Sequence, residues 1–234
     1  MLESKNITKK FGSKTAVDQV SLRFEPGHVY AMLGPNGSGK TTWMKMAAGL
    51  IKPTSGEMLF DGIPVSLESR RHIAYMSTEP YFYAWMSVGD VGKYYADFFE
   101  DYSPERYAEL LRRMELTEDL KTRSLSSGMM AKLKIAVTLA RDAQVYMLDE
   151  PFNGIDLLAR DEIRESILER ASGEKILLLS SHLVEEMEAI ADQAVFLKNG
   201  CLADRVDLEE LRSEKGISMA DRYREIYGHE EARV

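Results

Sequence analysis

Hydrophobic and polar residues follow two different periods along this chain. Near the N-terminus Val20, Leu22 and Phe24 alternate with Ser21 and Arg23. A period of two belongs to a strand with one buried face. Pro26-Gly27 then marks a turn, and His28 to Leu33 is a short, mostly apolar strand. Glu57 to Phe60 reads as a further strand, closed by the turn pair Asp61-Gly62. Up to about residue 76 the pattern predicts strands and turns with one helix, Thr41 to Leu50. From about residue 86 to 141 the period becomes helical. Ser103-Pro104 is a helix start, with Pro at the first helical position. Tyr107, Leu110, Leu111 and Met114 follow at i, i+3, i+4 and i+7. Beyond residue 143 strands and helices alternate: strand 144–148, helix 158–170, strand 175–180, helix 182–191, strand 193–198. Such alternation predicts a parallel sheet flanked by helices, an α/β architecture with a helical block between two α/β portions. The tail is polar and helix-prone around Leu208 to Arg212 and Met219 to Tyr227.

Composition narrows the function. The chain has 234 residues, 44% hydrophobic and 29% charged, which excludes disordered, collagen-like and coiled-coil classes. That length suits one large domain or two small ones. The formal charge is -8, from 30 Lys+Arg against 38 Asp+Glu. Nucleic-acid binding usually shows as a basic excess, so no nucleic-acid partner is expected. Apolar runs are short, as in Ile176 to Leu179, so no segment is expected to span a bilayer. The N-terminus, MLESKNITKKFG, lacks the apolar core of a secretory leader. One cysteine, Cys201, excludes an internal disulfide framework and fits a reducing cytoplasm.

The strongest motif is Gly34-Pro35-Asn36-Gly37-Ser38-Gly39-Lys40-Thr41, which matches G-x-x-x-x-G-K-[ST] between an apolar strand and a helix. Glycines let the backbone wrap a phosphate with its amides inward, and the helix N-terminus adds partial positive charge. Lys40 would hold β- and γ-phosphates, Thr41 would ligate Mg²⁺, and Thr42 could add a hydroxyl contact. The bland alternative is a chance glycine-rich turn. Such ATPases also need an acidic residue ending a buried strand, and Val145 to Leu148 followed by Asp149-Glu150 supplies it. Asp149 would hold Mg²⁺, directly or through water; Glu150 would orient and polarise the attacking water. An isolated Asp-Glu pair would be read as a solvated turn.

With these residues the sequence resembles the ATP-binding cassette family, and specifically the nucleotide-binding subunit of a transporter, over roughly residues 2 to 205. Leu125-Ser126-Ser127-Gly128-Met129 looks like the family signature, usually LSGGQ. Its physical logic is a second helix N-terminus, with a serine hydroxyl and backbone amides ready for a γ-phosphate. Alone, Ser126, Ser127 and Gly128 would be read as a helix cap. Pro151 to Asp156 resembles the family's D-loop, with Asp156 in the usual place. Ser181-His182 stands where the family has its switch histidine, and Phe11 matches the aromatic that stacks on adenine. Without the family, Phe11 would be assigned to the core.

The resemblance implies a P-loop NTPase fold of the ABC-ATPase type: a RecA-like core sheet, an N-terminal antiparallel β portion and a helical subdomain. Its parts are residues 1–85 and 142–205 for the core, 86–141 for the helical subdomain with the signature, and 206–234 for a short helical extension. It implies ATP and Mg²⁺ as cofactors. It also implies a homodimer or heterodimer with another nucleotide-binding subunit, pairing head to tail so that each ATP lies between Gly34–Thr41 of one chain and Ser126–Gly128 of the other. A separate transmembrane permease subunit would tie the chain to the inner face of the membrane. Two departures bear on hydrolysis and coupling more than on ATP binding. Thr78, in Ser77-Thr78-Glu79-Pro80, stands where the family has a glutamine that touches Mg²⁺ and the membrane partner. Ser127 and Met129 replace a glycine and a glutamine of the signature, and a Met there resembles exporter-type cassettes for antibiotic or drug efflux. In the family, the crowded aromatics Tyr81, Phe82, Tyr83 and Trp85 fall where the permease docks; at least one is expected to be exposed and to line a groove. A soluble cassette ATPase working on DNA or ribosomes would carry a long insertion or a second cassette, and neither is visible. A P-loop kinase or GTPase would lack the signature, and no Asn-Lys-x-Asp base reader is present.

Overall fold

The computed structural model describes residues 1–79, 81–171 and 173–228. Pro80, expected in the loop after residue 76, and residues 229–234 of the expected extension lie outside the described residues, as does Ser172. Strands β1 (Leu2–Phe11) and β2 (Lys14–Phe24) form an antiparallel hairpin. After β3 (His28–Leu33) comes helix α1 (Lys40–Ala47). Strand β4 (Ser55–Phe60) pairs with β1 and β5 (Ile63–Pro64) with β4, giving a four-stranded sheet in the order β2-β1-β4-β5. Strand β6 (Ile73–Met76) leads into the helical block: α2 (Val88–Phe98), α3 (Pro104–Arg113) and α4 (Ser127–Leu139). Then follow β7 (Val145–Asp149), α5 (Leu157–Leu168), β8 (Ile176–Ser181), α6 (Val184–Glu188), β9 (Gln193–Lys198) and β10 (Cys201–Asp207). Helices α7 (Leu208–Lys215) and α8 (Met219–Tyr227) close the described chain.

The second sheet has six strands in the order β10-β9-β3-β8-β7-β6, all parallel except β10. Parallel strands covered on both faces read as continuous apolar runs, which is why β3, β7 and β8 show no alternation. On β3, Val29, Ala31 and Leu33 face the core shared with the helical block. Tyr30 and Met32 face a second core, where α1 inserts Trp43, Met44 and Met46 beside residues of the antiparallel sheet.

Helix boundaries follow local chemistry. Ser87, Ser103 and Ser126 cap α2, α3 and α4, each accepting from the amide three residues on. Helix α1 is shorter than the expected Thr41–Leu50. Gly49, at φ 68°, turns the chain, and the amides of Gly49 and Leu50 close on Met46 O and Lys45 O in a Schellman arrangement. The expected helix 182–191 shrinks to α6, because Leu183 N bonds Ser181 Oγ in a turn that carries the chain off β8. Strand β10 was not expected. It is an edge strand, mostly exposed, whose register shifts between Leu202 and Asp204, so its side chains do not alternate cleanly.

The helical block is tied to the sheet by Arg141, just past α4 and 3% exposed. Its guanidinium reaches both carboxylate oxygens of Asp101 at 3.0 and 3.1 Å, Ile73 O at 2.9 Å and Arg71 O at 2.5 Å. It also lies 3.9 Å from the centre of the Phe99 ring. Removing one partner of a buried pair strands the other charge, so Arg141→Met is expected to lower unfolding free energy by about 3 kcal/mol, read from the denaturant midpoint. A loss below about 0.5 kcal/mol would fit only a solvated pair.

Candidate functional site

The turn from Gly34 to Lys40 joins β3 to α1, and glycine is required in it by both conformation and space. Gly34, Gly37 and Gly39 have φ of 152°, 81° and 107°. A Cβ on Gly34 would lie 2.4 Å from Leu197 O, and one on Gly39 would lie 2.7 Å from Ala16 O. Lys40 folds back over the turn. Its Nζ donates to Gly34 O at 2.7 Å and Pro35 O at 3.3 Å, and stands 3.7 Å from Glu150 Oε1. The side chain is only 6% exposed, and burial pushes its pKa below the usual lysine value, against the pull of Glu150 and Asp149. Ser38 Oγ is buried with no hydrogen-bond partner.

The neighbouring strands bring the acids. Asp149 ends β7 fully buried and accepts from Ser180 Oγ on β8 and, at 3.4 Å, from Tyr75 Oη on β6. Burial raises the Tyr75 phenol well above its usual range, which keeps it a donor. Glu150 follows with φ 53°, a conformation held by two bonds from its amide to Ser180 O and Oγ, both 3.1 Å. Its Oε2 lies 2.8 Å from His182 Nδ1.

Around these residues opens a cleft of about 330 Å³. Asn36 to Thr42 line it together with Glu150, His182 and Thr78. Gly34 and Pro35, whose carbonyls accept from Lys40, and the buried Asp149 are not among the lining residues. Three lining residues escaped the sequence reading: Lys14, Ala16 and Asn153. Asn153 stands inside the quoted segment Pro151–Asp156. Lys14 and Ala16 arrive through the β1–β2 hairpin and carry no local signal. Tyr75 and Ser180, which hold Asp149, were missed as ordinary strand residues.

Other expected residues lie outside the cleft lining. Phe11 ends β1 with half its surface exposed and Lys9 Nζ 5.1 Å from its ring, so a core role is excluded. Ser126, Ser127 and Gly128 start α4, where Ser126 Oγ accepts from Met129 N at 3.2 Å. Gly128 packs on the D-loop segment: a Cβ there would lie 2.8 Å from Gly154 O. Asp156 caps α5, accepting from Ala159 N at 3.0 Å. Of the four aromatics, Tyr83 and Trp85 are exposed, at 59% and 66%, and stack at 5.8 Å. The nearby groove, of about 460 Å³, is lined instead by Tyr81, with Lys45, Glu79, Tyr95 and Arg141.

Comparison with known proteins decides the family. The ABC transporter family model matches residues 17–153. The chain belongs to the ABC transporter family. It is 33% identical, over 92% of its length and 71% of the relative's, to the uncharacterized ABC transporter ATP-binding protein YhcH of Bacillus subtilis. It is 34% identical to the lantibiotic transport ATP-binding protein SrtF of Streptococcus pyogenes, covering 86% of this chain and 88% of that one. It is 31% identical to the Nod factor export ATP-binding protein I of Cupriavidus metallidurans, over 98% and 78%. A solved ATP-binding subunit of an ABC transporter superposes with a TM-score of 0.86 at 26% identity, over 97% of this chain and 99% of that one. The ABC cassette is therefore an ATP-binding, ATP-hydrolysing subunit of a transporter, with the expected ABC-ATPase fold.

The buried Lys40 of the ABC cassette generates a prediction. Lys40→Met strands the largely buried Glu150 and is expected to lower stability without nucleotide by up to about 3 kcal/mol. ATP at a hundredfold over its Kd should stabilise the wild type by about 2.7 kcal/mol and the variant not at all, measured by thermal unfolding with and without nucleotide. An equal ATP-induced shift in both would remove Lys40 from the site.

Proposed function

We propose that this subunit powers export through a separate permease by closing, with a second nucleotide-binding subunit, over ATP and Mg²⁺. The observation that carries this reading is the division of the motifs. Lys40, Glu150 and His182 converge on one cleft, whereas Ser126–Gly128 open a different helix outside its lining. A site half-built in this way is completed by a second chain that presents its own signature. Lys40 and the Gly34–Lys40 amides hold the phosphates, and the orphaned Ser38 hydroxyl gains a partner there. Phe11, exposed at the end of β1, stacks on the adenine, and His182 steadies the γ-phosphate from the end of β8.

Among the described residues no cluster of three or more His, Cys, Asp or Glu could hold a metal by itself. The Thr41 hydroxyl and the Asp149 carboxylate suit Mg²⁺, which takes one or two protein ligands and completes its shell with phosphate oxygens and water. Bound there, Mg²⁺ would neutralise charge on the β- and γ-phosphates. Glu150 takes the proton of the attacking water; its carboxylate, anchored by His182 Nδ1, faces the cleft beside Lys40. Asp156 sets α5 and the D-loop at the junction with the partner chain.

The permease is proposed to dock at the groove lined by Tyr81, Tyr95 and Arg141 and on the exposed Tyr83–Trp85 stack, since aromatics dominate interface cores. No helix among the described residues is long and apolar enough to cross a membrane. Membrane attachment at the cytoplasmic face therefore runs through that partner. The chain is 34% identical to a lantibiotic transport ATP-binding protein and 31% identical to a Nod factor export ATP-binding protein, and such relatives support export.

Two experiments test the reading. Glu150→Gln keeps ATP binding but is expected to lower turnover by about 10²–10⁴-fold, because the amide cannot accept the proton. In the same variant, Mg-ATP should drive dimerisation in sedimentation. Wild-type turnover would remove Glu150 from the chemistry. Trp85→Ala is expected to weaken the complex with the permease about tenfold or more, with ATPase of the free subunit kept. Unchanged assembly would leave Trp85 as a surface residue only.

A further inference from the structure

Lys134 lies in the middle of α4, two turns beyond the signature residues. Its side chain is 5% exposed. Lysine is almost never buried without partners. Here the partners are three successive backbone carbonyls. Nζ donates to Ser77 O at 3.1 Å, Thr78 O at 2.8 Å and Glu79 O at 2.8 Å. An ammonium has three N–H donors, and each carbonyl can take one. The ring of Tyr81 lies 5.4 Å from the same nitrogen.

All three carbonyls belong to the loop that departs from the family pattern. Thr78 lines the nucleotide cleft, on a side chain too short to reach far, so its place is set by its backbone. The loop is also held from the other side. The Glu79 carboxylate pairs at 2.9 Å with Lys45 of α1, the helix that begins with Lys40. The loop is thus clasped between the helix of the phosphate turn and the helix of the signature. Any movement of α4 relative to the sheet must carry residues 77–79 with it or break the three bonds.

We propose that Lys134 is a positioning residue. Its ammonium fixes the Ser77–Glu79 backbone to the signature helix, so the edge of the cleft at Thr78 follows the signature's position. The proposal rests on the reading of the cleft as the nucleotide site.

The test uses the full chain with Lys134→Met, which keeps the length and removes the charge, and with Lys134→Arg. Amide hydrogen exchange without nucleotide reads the clamp through the order it imposes on the loop. In Lys134→Met, exchange at Thr78 and Glu79 should rise by about tenfold or more, while β7 and the rest of α4 keep their protection. With ATP, kcat should fall about tenfold and KM stay within about twofold, because the phosphate turn is untouched. Lys134→Arg, still a multiple donor, should recover at least about half of the lost kcat. Unchanged exchange at Thr78 and Glu79, or equal loss of protection in the loop, β7 and α4, would overturn the proposal. Exchange is read without nucleotide, so it decides the clamp even if the wild-type chain failed to bind ATP, an outcome that would sink the cleft reading instead.

Discussion

Everything at the site depends on the register of three parallel strands. Leu33 of β3 lies level with Ser181 of β8, and Asp149 of β7 lies level with Ser180. That alignment brings the phosphate turn, the Asp149-Glu150 pair and His182 to one edge of the sheet, at the carboxyl ends of the strands, where open α/β sheets bind ligands. Side chains alternate strictly along a strand, so a slip of one residue would turn Asp149 away from Ser180 and Tyr75 toward the other face. The two cores hold the register from both sides, since residues of β3, β7 and β8 alternate between them. Ser180 then uses the alignment twice: its hydroxyl donates to Asp149 and accepts from the Glu150 amide.

The same edge carries the unfavourable terms. Lys40 is buried, Glu150 has a positive φ, and Ser38 Oγ has no partner. Each is a small cost, and the buried ammonium and the orphaned hydroxyl are groups that suit an anionic ligand bearing oxygen acceptors. The stability of the rest of the fold offsets them. Arg141 bonds the block to strand and loop backbone, Lys134 bonds it to the cleft edge, and both do so through carbonyls rather than through one carboxylate alone. Two buried cations thus tie the helical block to the parallel sheet and to the loop that follows β6.

Much of this was legible in the sequence, for physical reasons that differ by residue. The turn at Gly34–Thr41 is a local motif whose glycines the backbone demands, so its conformation could be read directly. Asp149-Glu150 was legible because the apolar run before it had to be a buried strand. The order of strands and helices after residue 143 followed from alternation, although β10 escaped because an exposed edge strand has no apolar face to display. Phe11 pointed to adenine only through the family resemblance; its composition suggested core, and the structure leaves it half exposed. Lys14 and Ala16 were illegible because a hairpin, not sequence proximity, brings them to the cleft. Lys134 was illegible because a lysine beside Lys132 on a helix reads as a solvated position, and only the fold reveals the three carbonyls that accept it.

The central claim is that one chain supplies the phosphate turn and a second supplies the signature. Mixing two inactive variants tests it most directly. Lys40→Met destroys the turn and keeps the signature; Gly128→Asp does the reverse, since any side chain at 128 meets Gly154 O. Each variant alone should be inactive. An equal mixture should regain about a quarter of wild-type ATPase, because half of the random twofold dimers are mixed and each holds one intact site of two. A mixture as inactive as either variant alone, with both still folded and able to dimerise, would contradict the account.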